Sequence, residues 1–155
     1  MAQRSPSPGV RAPAIVSFVA RELSPSYAYA HDQYGQMLAM QGRLDDALVQ
    51  NQRAAELDPF GGLVVMDMVV TLAWQGKYEA AKELSHRALD LDPTDSYVQW
   101  ASAWTDIEAG KFSEAISELQ KYIAAMKDYT WFAAWLGYAY GCRAIAPEPW
   151  QFLRT

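Results

Sequence analysis

The sequence predicts an all-α fold, a stack of helical hairpins, on three observations. First, a step of 34 residues recurs in several residue types in one register. Gly42, Gly76 and Gly110 keep it, as do Ala47, Ala81 and Ala115, and Pro25, Pro59 and Pro93. Leu23, Leu57 and Leu91 follow the same step, as do Ala20, Ala54 and Ala88. Second, each unit holds two apolar-periodic stretches of about 14 residues, long enough for helices. Third, the punctuation between them is regular. A glycine followed by Arg43, Lys77 or Lys111 separates the two stretches, and Leu-Asp-Pro closes the second at 57–59 and 91–93. Glycine enters the left-handed conformation cheaply and so ends a helix in a tight turn. Proline cannot continue a helix but begins the next one well. Each unit is thus a hairpin that covers its neighbour's apolar face.

Taken in order, residues 1–13 are rich in proline and read as a disordered leader. Residues 14–27 read as a partial repeat or cap. There, Ala20, Leu23 and Pro25 fall where Ala54, Leu57 and Pro59 fall one unit later. The apolar run Ala14–Ala20 follows Arg4 and Arg11, as a signal peptide would, but it is short and runs into Arg21 and Glu22. It reads better as a piece of amphipathic helix. Full units are expected at 28–61, 62–95 and 96–129. Residues 130–145 supply the first helix of a fourth, with Ala144 standing where the turn glycine belongs. The tail, 146–155, carries Pro147 and Pro149 and shows no helical pattern. Two half-units at the ends read as a piece of a longer array, with dedicated end caps as the other reading.

These residues resemble the tetratricopeptide repeat family. Its pattern reads W-x-x-L-G-x-x-Y, then Gly, Ala, an aromatic, Ala and Pro. The first unit matches it with Tyr34, Gly35, Leu38, Gly42, Ala47, Ala54 and Pro59, and the second with Leu72, Gly76, Tyr78, Ala81, Ala88 and Pro93. The third keeps Gly110, Phe112 and Ala115, but Tyr122 replaces the second alanine, Lys127 the proline, and Asp106 stands at a usually large apolar position. The fourth opens with Leu136, Gly137 and Tyr140 in step. The resemblance implies a right-handed α-α superhelix, or solenoid, with a concave groove lined by the first helix of every unit.

Composition narrows the function. The 155 residues carry 18 acidic and 13 basic side chains, a formal charge of −5. That balance opposes nucleic-acid binding, which rests on Lys and Arg against phosphate, and gives no basic attraction to a membrane. No apolar run reaches the roughly 20 residues a membrane span needs. The lone Cys142 cannot form an intrachain disulfide, which favours a reducing, cytoplasmic setting. Cys142 reads as an idle thiol. His31 and His86 are 55 residues apart and lack zinc-ligand spacing, so no metal or cofactor is expected. His31 reads as solvated near a helix start. Asp45 and Asp46 read as first-turn carboxylates favoured by the helix dipole. The triplet Asp90, Asp92 and Asp95 lacks the glycine of a calcium loop and has Ala101 at its twelfth position. Nothing here makes an enzyme.

What remains is surface. The positions that the resemblance turns toward the groove are Tyr29, Asp32, Gln33, Gln36 and Met40 in the first unit, and Met66, Asp67, Val70 and Trp74 in the second. Tyr97, Trp100, Trp104 and Glu108 follow in the third, then Trp131, Trp135 and Tyr138 in the fourth. Five of the six tryptophans are in this set, and large rigid aromatics dominate binding hot spots. The same rings could instead fill the space between helices, and the sequence leaves both readings open. The groove's charges, Asp32, Asp67 and Glu108, are all acidic, against the Lys and Asn that family members use to grip acidic C-terminal peptides. The expected function is a non-catalytic scaffold holding an apolar or basic protein segment. The other reading is a regulatory module that binds a small apolar ligand and is detached from an effector domain. The end helix would leave an apolar face uncovered, which points to a homodimer through it.

Overall fold

The computed structural model describes residues 26–125 and 130–146. Seven helices and no strand occupy the described residues: α1 Ala28–Met40, α2 Leu44–Leu57, α3 Gly62–Trp74, α4 Tyr78–Leu91, α5 Ser96–Glu108, α6 Phe112–Ala125 and α7 Thr130–Ile145. They form an all-α repeat solenoid. The leader 1–13, most of the partial repeat at 14–27, the last residues of the third unit and the tail from 147 onward lie outside the described residues.

The turn inside each hairpin is built alike three times. Gly42, Gly76 and Gly110 hold φ of 76°, 74° and 74°. A β-carbon at any of the three would touch nothing within 4 Å, so the backbone conformation, not crowding, requires glycine. The basic residue that follows turns its N–H back five residues, as Arg43 N to Leu38 O at 3.0 Å, Lys77 N to Leu72 O at 3.0 Å and Lys111 N to Asp106 O at 2.8 Å. That is the Schellman closure, which satisfies carbonyls the helix end leaves open. Between hairpins, Asp92 accepts from the Thr94 N–H and hydroxyl, and Asp95 Oδ1 caps α5 by accepting from the N–H groups of Tyr97 and Val98. The aspartates that faintly suggested an ion loop are helix punctuation.

The invariant small positions are crossing points. Ala47, Ala81 and Ala115 are fully buried, and a β-carbon on Gly35 would come within 3.1 Å of the Asn51 amide. Each helix packs on the next in sequence. In addition α1 meets α3, α3 meets α5 and α5 meets α7, whereas α2, α4 and α6 do not meet one another. The first helices therefore form one continuous inner row, with the second helices behind it. The largest core cluster lies at the α5–α6–α7 end, around Ile107, Leu119, Tyr122 and Phe132.

Asp106 departs from the pattern and has a visible reason. The Lys82 ammonium on α4 donates to Asp106 Oδ2 at 2.8 Å, Glu118 Oε1 at 2.7 Å and Ser102 Oγ at 2.8 Å. Ser102 Oγ donates in turn to Glu118 Oε2 at 3.0 Å. Burial pushes the Asp106 carboxyl up, and Lys82 opposes that shift. Tyr122, at the other irregular position, is buried, its ring lies 5.8 Å from that of Phe132, and burial pushes its hydroxyl up to about 12. The third unit exchanges apolar contacts for a polar junction joining α4, α5 and α6.

Candidate functional site

The inner row carries most of the aromatic side chains of the predicted groove. Trp74 ends α3, Trp100 and Trp104 lie one turn apart on α5, and Trp131, Trp135 and Tyr138 follow at helical spacing on α7. The row brings them together. Trp74 meets Trp104 edge-on at 6.2 Å between ring centroids, and Trp104 stacks on Trp100 at 5.8 Å. Trp100 in turn meets Trp135 at 5.3 Å and Trp131 at 6.4 Å, and Trp135 meets Tyr138 edge-on at 5.6 Å. Six rings from three helices make one unbroken run. Offset and edge-on contacts of this kind favour the positive ring edge against the negative face.

The run is part floor and part surface. Trp104 is 9% exposed and belongs to the core, while Trp74 is 46% and Trp131 60% exposed. Trp100 and Trp135 are half-buried, and Tyr97 and Tyr138 are exposed. Beside the run opens a cleft of about 700 Å³, lined by Met66, Ser96, Tyr97, Trp100, Thr130, Trp131 and Phe132. Its walls come from α3, α5 and α7.

The acidic positions divide differently. Glu108 is exposed, but Asp32 is fully buried and Asp67 is 6% exposed. Asp32 therefore presents no surface. It sits where α1 packs on α3, with its carboxyl hydrogen-bonded to that of Asp67. Gln33 donates to Asp32 Oδ2 at 3.5 Å and Gln36 to Asp67 Oδ2 at 2.5 Å. Burial, then the charge of Asp67, pushes Asp32 up to about 7, and burial also raises Asp67. Two buried carboxyls this close share a proton, because both cannot ionise out of water. Val70 is buried, Gln33, Gln36 and Met66 are half-buried, and Tyr29 and Met40 are exposed.

His31 corrects the expectation of a solvated side chain. It is 7% exposed, and its Nδ1 lies 2.9 Å from Gln50 Oε1 on α2. Its helical position one residue before Asp32 turns it into the α1–α2 contact rather than to solvent. Asp45 and Asp46 do lie in the first turn of α2, where Asp46 pairs with Arg43. Cys142 is half-buried against the α5–α7 core. Among the described residues no three His, Cys, Asp or Glu side chains converge as a metal site, and no helix is long and apolar enough to cross a membrane. Lys82 and Glu118 escaped the sequence reading. The available signal was Asp106, a charge at an apolar position that requires a partner.

The shared proton gives a pH dependence whose sign is fixed. An unfolded Asp32 releases its proton near 3.8, and the folded one holds it to about 7. Between those values the native state binds more protons, so stability falls as pH rises. Asp32→Asn keeps the shape, cannot ionise, and can donate to Asp67. Relative to wild type it is expected to gain on the order of 2 kcal/mol as the pH is raised from roughly 5 to 8. Thermal melts of both proteins across that range check it, and parallel curves would show that Asp32 holds no shifted proton.

Residues 72–137 match the model of the tetratricopeptide repeat family. Over that stretch the chain is similar to tetratricopeptide repeats. No curated protein sequence matches it. Among solved structures, the first tetratricopeptide repeat domain of human RPAP3 superimposes on the array with a TM-score of 0.63 at 15% identity, covering 77% of this chain and 94% of that one. The first repeat domain of Spaghetti (RPAP3), bound to the HSP90 peptide SRMEEVD, gives 0.61 at 14% identity, covering 76% and 95%. Yeast Tom70 gives 0.62 at 16% identity over 92% of this chain, which spans only 32% of Tom70. At these identities the likeness is one of fold.

Proposed function

We propose that this repeat array is a non-catalytic interaction module that lays an apolar, partly basic segment of a partner protein along its inner row. The observation that carries the reading is the unbroken aromatic run from Trp74 to Tyr138, open at Trp74 and Trp131 and flanked by the cleft beside Trp100. Rigid amphipathic rings offer large contact area at low entropy cost. The Spaghetti repeat domain, a fold neighbour, is itself seen with a peptide. Its peptide ends in acidic residues, and this groove, with Asp67 and Glu108, suits the opposite charge.

The cleft volume of about 700 Å³ also lies within the range of small-molecule sites, which favours as a second reading a regulatory module for an apolar ligand. A second copy is a further partner of α7. Ala133, Ala134, Gly137 and Gly141 are exposed there, and nothing approaches either glycine.

Selection of displayed peptides on the immobilised full chain tests the first reading, with light scattering of the same protein reporting its oligomeric state. Trp131→Ala should weaken a selected peptide at least about tenfold, as removal of an aromatic anchor does. Its exposed ring contributes little to the fold, so stability should hold. An unchanged affinity would remove the aromatic run from the binding surface.

A further inference from the structure

A second, smaller cleft opens farther along the inner row, between α1 and α3. It holds about 130 Å³ and is walled by Gln36 and Met40 of α1 and by Asp67, Val70, Thr71 and Trp74 of α3. Asp67 is the only charged residue in that wall. Gln36 fixes one of its oxygens. Behind it lies Asp32, fully buried, with its Oδ1 hydrogen-bonded to no donor among the described residues. At the rim the indole of Trp74 is half exposed. Two carboxyls without a cation are costly in such a place, and no Lys or Arg lines the cleft.

We propose that this cleft is a subsite for one Lys or Arg side chain of the partner segment, its stem on Met40 and Val70, its charged head on Asp67 and against the Trp74 face. The chemistry fits each part. Two carboxyls that share one proton still carry one negative charge out of water, and a charge-assisted hydrogen bond offsets it. An aromatic face attracts a cation through its quadrupole. A long apolar stem with a charged tip suits walls that are apolar above and acidic below. An acidic side chain would meet Asp67 and be rejected, so the subsite gives the groove a sign preference that flat aromatic contact lacks.

The inference rests on the inner row as a binding face, and its test separates the two. The full-length chain is titrated with Nα-acetyl-lysine methylamide, and with the norleucine analogue as a neutral probe with the same four-carbon stem, while the Trp74 indole N–H signal is followed by NMR. The lysine probe should shift that signal saturably, the norleucine probe at least about tenfold more weakly. Asp67→Asn, nearly isosteric, should abolish the difference. Trp74→Leu, at an exposed ring and followed instead through the Gln36 side-chain amide signal, should weaken the lysine probe without loss of fold and serves if the first variant unfolds. No saturable shift by the lysine probe, or equal shifts by both probes, would overturn the subsite even where selected peptides still bind through Trp100 and Trp131. Peptides that need Trp131 but carry no preferred basic residue would overturn it as well.

Discussion

Lys82→Met is expected to destabilise the array by about 3–5 kcal/mol at neutral pH, the usual result of removing one member of a buried ion cluster. The ammonium is 15% exposed and, among the described residues, is the only cation bonded to Asp106 and Glu118, which are 5% and 25% exposed. Without it the two carboxylates repel each other, and burial would drive a proton onto Asp106. The loss should therefore shrink as the pH is lowered, because the raised carboxyl takes up a proton more readily than a free one. Adding Asp106→Leu to Lys82→Met should recover most of the stability, since a packed apolar group replaces the abandoned charge. Urea unfolding of the two single variants and the double variant measures this coupling. If the double variant is no better than Lys82→Met, the cluster is not what holds α4 to α5.

Phe132→Ala should cost a similar amount, about 3–5 kcal/mol, through lost burial and the cavity left behind. Phe132 is 2% exposed, packs with Leu119, Ile107 and Ala139, and is the main apolar anchor of α7. Tyr140→Ala on the same helix, where the side chain is 39% exposed, should cost less than about 1 kcal/mol. Melts of the two variants, with near-ultraviolet circular dichroism to follow the tryptophans, distinguish them. Equal losses would place α7 differently on α6.

The contrast between these two sites marks how far the letters could be read. Glycine at 42, 76 and 110 and alanine at 47, 81 and 115 were legible because a turn conformation and a helix crossing each admit very few residue types. The aromatic run was legible as a set of positions but not as an arrangement. Helical spacing places Trp74, Trp100, Trp104, Trp131 and Trp135 on one side of their helices. Which rings sink and which stay open depends on how closely neighbouring helices approach, so Trp104 became core and Trp131 surface. The acids were harder still. Asp32 and Asp67 occupy groove positions by count, yet the α1–α3 contact closes over Asp32 and makes the two share a proton. Lys82 was not legible because its partners lie 24 and 36 residues away, on helices brought to it only by the stack.

The inner row also sets a length. Packed helices stand roughly 8–10 Å apart, and an extended chain advances about 3.3–3.6 Å per residue. A segment laid across the row thus passes one helix for every two to three of its own residues, by the same rough arithmetic. From the cleft at Asp67 on α3 to Trp131 on α7 it crosses two such intervals, about five or six residues. A basic residue and an apolar anchor spaced closer than that could not engage both ends at once. On the proposed reading the stack counts residues in its partner, and discrimination resides as much in that spacing as in the identity of either anchor.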